Sequence, residues 1–536
     1  MTALDDAARA VLGPEADLRA EQRAALDALA DRDTLLVARS GFGKTAVYDI
    51  ASRLTSGLTV VVSPTLSLQR DQRAALEATG RRAAVLNSSL TARQEQEVLG
   101  AVRDGGLDVV LLAPEQLGRD EVVDALSSGD VRLLVVDEAH CVSEWGHDFR
   151  PDYLQIATAA ARLGGPRLLA TTATASRQVR RDVVERLGVP HAEVVVGDVD
   201  RPNIWLGARD AADAGAADRL VVEAATSLDG AGIVYAPTRA DVDRLVGLLA
   251  AAGRAARGYH AGMASRERDE VQDGFTSGRL DLVVATSAFG MGIDRPDVRF
   301  VVHAALPPSL DAYYQEVGRA GRDGEPATAV LVHRAEDVAL GRYLRGSGGP
   351  RPATLERVGR ALREHGPLPR RELVEVTGLA DRTVSRAVGA LREAGAVGED
   401  DEGRLAWTAS DDLPAVLDRV VQERERRRAT DASRVELVRT YADTRDCRRR
   451  VLLELLGEDR PEPCGHCDSC DDGTSEAVRH DRFRTGQQVR HREFGAGTVS
   501  LVEADRVTVL FEDRGYTTLA LDLLEGADSP VTVEQV

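Results

Sequence analysis

The run Thr34-Leu35-Leu36-Val37-Ala38-Arg39-Ser40-Gly41-Phe42-Gly43-Lys44-Thr45 decides the fold. Four apolar or β-branched residues read as a buried strand, the glycine-bearing stretch as a tight turn, and Lys44-Thr45 as the start of a helix. Such a turn lets backbone N–H groups wrap a phosphate chain while the helix dipole adds attraction. Lys44 would reach the β- and γ-phosphates, Gly41 and Gly43 would line the cradle, and Thr45 would hold Mg2+. Composition favours this over a ligand-free turn. Of 68 lysines and arginines, Lys44 is the single lysine and the other 67 are arginine. A compact ammonium therefore survives only where a planar guanidinium fork is a different phosphate binder.

Working outward, apolar runs recur at Thr59–Val62, Val109–Leu112, Leu133–Val136 and Leu168–Thr171, each separated by a helix-compatible segment. Near-continuous apolar runs of this length suit parallel strands buried on both faces. The pattern restarts after Arg201-Pro202-Asn203 with Gly232–Tyr235, Leu282–Ala285, Phe300–His303 and Ala329–Val332, which predicts two α/β domains in series. Asp137-Glu138-Ala139-His140 follows the strand ending at Val136. Asp137 can then hold Mg2+ and Glu138 can orient or deprotonate an attacking water, which makes the engine a nucleoside triphosphatase. Charge developing on the transferred phosphoryl needs a cation. Gln315-Glu316-Val317-Gly318-Arg319-Ala320-Gly321-Arg322 offers Arg319 and Arg322 from the second domain, the alternative being a surface arginine pair on a helix.

The chain has 536 residues, 43% hydrophobic and 29% charged, with a net charge of -19. That charge argues against indiscriminate coating of polyanions, so nucleic-acid contact must be local. No run approaches the ~20 apolar residues of a bilayer span, and Met1–Ala10 carries two aspartates rather than a basic leader. Four of the five cysteines crowd into Cys447 and Cys464-Gly-His-Cys467-Asp-Ser-Cys470. Four soft ligands at this spacing read as a closed structural zinc site, with His466 a weaker substitute, in a reducing compartment such as the cytoplasm.

Gly346–Pro350 reads as a linker. Leu355–Trp407 then reads as three helices, the second opening at Arg371 and the third spanning Thr383–Ala394, followed by a short strand pair; this is a winged-helix pattern. The mixed-charge run Glu423–Arg428 reads as a solvated helix face. After the polar connector Asp471–Arg484, the tail from Gln487 to Leu524 alternates as strands of a small β-barrel.

Val61–Leu68, Thr172-Ala173-Thr174-Ala175, Ala285-Thr286 with Phe289–Asp294, and Trp145–Tyr153 place the chain. Over Leu18–Val332, and again at the cysteines, it resembles the RecQ family of superfamily-2 DNA helicases, in which the phosphate loop takes the form A-x-x-G-x-G-K-T seen here with Ala38. The resemblance implies ATP-dependent 3′-to-5′ translocation on single-stranded DNA with duplex unwinding, in repair or recombination. By it, Arg19 and Gln22 read the adenine, His140 belongs to the catalytic set, and Gly292, Asp294 and Gln315 join the nucleotide site. Ser63, Thr174 and Thr286 lie on the path to the strand, and Trp145, Phe149 and Arg150 on the aromatic-rich loop that meets it. Three aromatics fall in nine residues of a chain that is 4% aromatic, and aromatic faces stack on bases without regard to sequence; core packing is the other reading for Trp145 and Phe149.

The implied architecture is a RecA-like domain 1 (1–197), a RecA-like domain 2 (198–343), a winged helix (351–410), a zinc module (413–472) and a β-barrel (485–526). Four features depart from the family pattern. Leu12, Pro14 and Leu18 surround the place of the usual adenine-stacking aromatic, and Glu144 replaces glutamine. The winged helix precedes the zinc cysteines, and no helicase-and-RNase-D C-terminal domain is recognisable. Gly486–His491 and Phe494–Val499 resemble the Tudor-like barrel ending UvrD/PcrA-type helicases, which implies docking on a protein such as RNA polymerase, with strand separation spared by its removal. A translocase that remodels protein–nucleic-acid complexes with little unwinding, and a non-catalytic nucleic-acid scaffold, are the alternatives in function.

Overall fold

The computed structural model describes residues 2–15, 17–39, 41–143, 149–290, 293, 295–339, 350–400, 404–458, 460, 462–475, 482–512, 514–524 and 530–533. The linker residues 346–349 fall outside these residues, as do Ser40, Glu144, Trp145, Gly292 and Asp294.

The first apolar runs form a seven-stranded parallel sheet of β1 (Thr34–Val37), β2 (Leu58–Val62), β3 (Ala83–Leu86), β4 (Val109–Leu112), β5 (Val131–Val136), β6 (Arg167–Thr172) and β7 (Glu193–Val196). The order is β3-β4-β2-β5-β6-β1-β7. Here β2, β5, β6 and β1 are consecutive neighbours, so Ser63, Asp137, Thr172–Thr174 and the phosphate loop leave the same edge of the sheet. That edge, the carboxyl ends of parallel strands, is where open α/β sheets bind ligands. The second sheet, β8 (Ile204–Asp210), β9 (Ala231–Tyr235), β10 (Arg257–Tyr259), β11 (Leu282–Ala285), β12 (Val298–His303) and β13 (Ala327–His333), is also parallel, ordered β10-β11-β9-β12-β13-β8.

The winged-helix pattern is realised as helices Pro352–His365, Arg370–Thr377 and Asp381–Glu393 with the antiparallel pair β14 (Val397–Glu399) and β15 (Leu405–Trp407). Its own core gathers Leu355, Val358, Leu373, Val384 and Leu391. A 31-residue helix, Leu413–Asp443, then carries the chain back to the motor. It contains the mixed-charge run and ends just before Cys447.

The tail forms a five-stranded antiparallel sheet of β16 (Gln488–His491), β17 (Gly495–Val502), β18 (Arg506–Phe511), β19 (Gly515–Ala520) and β20 (Val531–Val533), ordered β19-β18-β17-β16-β20. Among the described residues no ladder joins the edge strands β19 and β20, so barrel closure is not seen, and the sheet gains a strand beyond residue 526. It is packed on the motor rather than tethered. Leu501 and Tyr516 join the core shared by the second α/β domain and the zinc module. Thr444 Oγ1 donates to Glu503 Oε1 at 3.0 Å. Arg181 of the helix Arg177–Arg186 reaches Thr498 Oγ1 at 3.4 Å. A Cβ on Gly515 would lie 2.2 Å from Ser433 Oγ, so the long helix and β19 meet at van der Waals contact. Each uncovered large apolar side chain costs about 1.5–3 kcal/mol. Deleting residues 487–536 is therefore expected to lower the melting temperature by roughly 5 °C or more in calorimetry, a cost in stability that is separate from the expected sparing of strand separation.

A nucleotide cleft between two parallel sheets

Gly43, at φ 90°, caps the helix Lys44–Leu54, and Gly41, at φ 75°, precedes it. Both conformations favour glycine. Space demands it as well, since a Cβ on Gly43 would sit 2.9 Å from Gln22 Nε2. Gln22 Nε2 donates to Phe42 O at 3.0 Å, Arg19 Nη1 to the same carbonyl at 3.3 Å, and the Arg19 guanidinium lies 5.0 Å over the Phe42 ring. Arg19 and Gln22 thus brace the phosphate loop from outside. Lys44 Nζ spans the loop to Ala38 O at 3.0 Å.

Asp137 is buried at the end of β5. Gln72 Nε2 donates to its Oδ2 at 2.6 Å and Thr171 Oγ1 to its Oδ1 at 2.7 Å, which fixes the carboxylate plane. Burial, then the neighbouring Glu138, push this carboxyl above its ordinary range, while nearby Lys44 pulls it down. A carboxylate with about four acceptor sites keeps lone pairs after two such bonds, and its burial beside another carboxylate suits a divalent cation. Asp137 and Thr45 could hold Mg2+, which when bound offsets phosphate charge. Glu138 takes φ 49°, a left-handed conformation rare outside glycine, and its Oε2 lies 3.3 Å from His140 Nδ1. His140 Nδ1 also meets Thr172 Oγ1 at 2.9 Å, and Thr172 Oγ1 donates to Thr174 O at 3.0 Å. The Asp-Glu-Ala-His segment is thereby joined to the end of β6.

The second domain closes the cleft. A Cβ on Gly41 would lie 3.8 Å from Arg322 Cδ, so this arginine stands over the phosphate loop. Arg322 Nη1 donates to Ile293 O at 2.9 Å and Arg319 Nη1 to Gly290 O. A separate cavity of about 660 Å³ on the second domain is lined by Thr286, Gly290, Gln315, Glu316 and Arg319, with Arg150 the first domain's contribution to its wall. Gln315 Nε2 and Arg319 Nε are buried there without a hydrogen-bond partner among the described residues. Arg201 is depressed to about 10 by burial and by its neighbours Arg39 and Arg322. Positive charge from both domains thus converges where a polyphosphate would lie.

Ser63 and Thr174 sit just past their strand ends with buried side chains, Thr174 beside Asp311 of the second domain. Arg150 Nη1 donates to Pro64 O at 2.6 Å, tying the aromatic-rich segment to the turn after β2. Phe149 is half-buried, and Arg427 of the long helix stands 5.3 Å over its ring. Arg427 also pairs with Glu393 of the winged helix at 2.7 Å, so the accessory domain reaches this loop through Arg427 of the long helix. Sequence reading passed over Gln72, Thr171 and Arg201. A buried glutamine in an amphipathic helix and a threonine closing an apolar strand were the only available signals.

The four cysteine Sγ atoms lie within 4.8 Å of one another, with Cys464 and Cys470 3.9 Å apart. Four thiolates at ~2.3 Å around one tetrahedral ion stand ~3.8 Å apart, so the donor set fits zinc. His466 is exposed and outside the cluster, which excludes it as a ligand in this arrangement.

Family models match in chain order: the DEAD/DEAH box helicase model over residues 19–182, the helicase conserved C-terminal domain over 216–324, and the RecQ zinc-binding model over 408–471. The third match begins directly after the winged helix. Among solved structures, a Mycobacterium smegmatis helicase Lhr bound to single-stranded DNA and AMP-PNP superposes with TM-score 0.51 at 19% identity, covering 92% of this chain and 68% of that one. The helicase MrfA bound to DNA gives 0.54 at 19%, over 78% and 60%. These likenesses show the fold, two RecA-like domains in tandem. The Bacillus subtilis probable ATP-dependent DNA helicase RecS is 39% identical over 58% of this chain and 63% of its own length. The Haemophilus influenzae ATP-dependent DNA helicase RecQ is 31% identical over 86% and 62%. The chain thus spans under two thirds of the length of these two relatives. The Bacillus subtilis ATP-dependent DNA helicase RecQ is 30% identical over 92% of this chain and 71% of its own, and by that extent of match the chain belongs to the RecQ family.

Proposed function

We propose that this chain is an ATP-dependent 3′-to-5′ DNA helicase that couples hydrolysis at the cleft to movement along single-stranded DNA and separation of forked duplexes, in repair or recombination. The observation that carries this reading is Arg322 standing over Gly41, which puts a cation of one domain against the phosphate loop of the other. Hydrolysis then depends on how the two domains meet, which is what a motor requires.

In this reading Arg19 and Gln22 bind the base, and Gly41, Gly43, Lys44 and Thr45 hold the phosphates. Gln72 and Thr171 keep the Asp137 carboxylate facing the metal position. Glu138, held by its left-handed backbone and by His140, orients the attacking water. Gln315, Arg319 and Arg322 meet the γ-phosphate from the second domain. Because His140 also contacts Thr172, movement at the nucleotide is passed to the end of β6. Arg150, Thr286 and the aromatic-rich loop receive the strand, and breaking each base-pair step opposes ~1.4 kcal/mol of stacking. The clustered thiols suit a reducing compartment, the cytoplasm in this reading. No helix of the described residues is long and apolar enough to cross a membrane. A protein partner such as RNA polymerase would dock on the C-terminal sheet around half-buried Phe494, which lies between His491 and Arg514.

Lys44→Ala tests the site. Removing one charged donor to a developing phosphoryl charge costs about 100–1,000-fold in kcat. DNA binding, read by fluorescence anisotropy, is expected to stay measurable. Turnover at the wild-type rate would remove the phosphate loop from the account.

A further inference from the structure

Between Arg319 and Arg322 the backbone is held by the Ala320 amide on Val317 O and the Gly321 amide on Val298 O, and its carbonyls are gripped from the side. Arg201 is buried, and its Nη1 donates to Gly318 O at 2.9 Å while Nη2 donates to Ala320 O at 2.5 Å and Gly321 O at 2.7 Å. One planar guanidinium thus holds three of the carbonyls that surround the arginine pair. Asn203 Nδ2 adds bonds to Gly321 O at 2.9 Å and Glu325 O at 2.8 Å. The fit is close, since a Cβ on Gly321 would lie 2.4 Å from Asn203 Nδ2.

The segment Asp200–Ile204 is itself held by a second arginine. Arg449, two residues after the zinc ligand Cys447, donates to Asp200 Oδ1 at 2.9 Å and to Ile204 O at 2.5 Å, one contact on each side of Arg201-Pro202-Asn203. The grip continues along β8. Cys467 bridges Leu206, Asp468 accepts from Ala208 N at 2.8 Å, and Trp205 Nε1 donates to Asp471 at 2.8 Å. The zinc module therefore extends the edge of the second sheet, and its short helix Arg448–Leu455, which carries Arg449, pins the turn that pins the arginine loop.

We propose that Arg449 and Arg201 are positioning residues for hydrolysis, a relay through which the zinc module sets where Arg319 and Arg322 stand over the phosphate loop. This deepens the proposed function and rests on its assignment of the arginine pair. A displacement of about 1 Å at reacting groups can cost ~100-fold, so the relay acts on kcat without touching nucleotide or DNA. A lysine at either position keeps the charge and loses the fork that spans several acceptors.

The test uses the full chain. Arg201→Lys is expected to lower DNA-stimulated kcat by about 100-fold. KM for ATP and DNA affinity should stay within about 3-fold. In nucleotide-free protein, hydrogen exchange of the Ala320 and Gly321 amides should accelerate. Arg449→Lys should show the same signature more weakly with one zinc per chain retained, and it carries the test if Arg201→Lys does not fold. Added to Arg319→Ala/Arg322→Ala, Arg201→Lys should cost less than about 3-fold more, because its route is already cut. The relay is overturned by unchanged kcat in Arg201→Lys and Arg449→Lys, by KM rising in step with the loss, or by additive losses in the combined variant. If Arg319→Ala/Arg322→Ala itself keeps full kcat, it is the arginine-pair assignment that fails.

Discussion

Arg319→Ala and Arg322→Ala are each expected to reduce DNA-stimulated ATP hydrolysis by about 1,000-fold or more, the scale on which an arginine acting on a transferring phosphoryl group contributes. Both side chains are held by carbonyls of the segment after β11, and Arg322 lies against Gly41 across the domain boundary. The loss should fall on kcat, because the proposed nucleotide ligands of the first domain, Lys44 and Thr45, are left in place. Steady-state kinetics with a nucleotide-binding assay separates the two. A rise in KM at constant kcat would make the pair ground-state ligands only.

The second large effect is expected on stability. Cys467→Ser removes a buried zinc ligand whose backbone bridges Leu206 of β8. Structural zinc contributes ~10–16 kcal/mol in peptide models. Even a fraction of that, in a chain of this size, should lower the melting temperature by at least ~10 °C. The damage should spread beyond the module, because Arg448 and Asp468 tie it to the long helix and to β8. Zinc content by metal analysis and melting by calorimetry check this together. Full zinc content with an unchanged melting temperature would move the ligand role away from Cys467.

The central strands of both sheets were legible as apolar runs because both of their faces are covered. The four that escaped, β3, β7, β8 and β10, are all sheet edges. Their residues are partly covered, as in Glu193–Val196, and their runs are short, alanine-rich or broken by glycine and charge, as in Ala83–Leu86 and Ile204–Asp210, so they stand out less than the β-branched runs of the central strands. The catalytic motifs were equally legible, since phosphate loops and strand-end carboxylates are local in sequence. What supports them is not. Gln72 and Thr171 reach Asp137, and Arg449 reaches Asp200, across separations that only the folded sheet closes. The tail shows the same limit. Its alternation predicts strands, but nothing in it says that Tyr516 and Leu501 complete the core around the zinc module. Phe149 reads as a base-stacking residue, and the structure puts Arg427 of the mixed-charge helix on its ring.

The most direct test of the motor is to follow ATP hydrolysis and strand separation together on forked duplexes bearing either a 3′ or a 5′ single-stranded tail, with Lys44→Ala as the control. Unwinding of the 3′-tailed fork alone, accompanied by stimulated hydrolysis and lost in Lys44→Ala, is the predicted result. DNA-stimulated hydrolysis with no separation of either fork would contradict it and leave a translocase in place of a helicase.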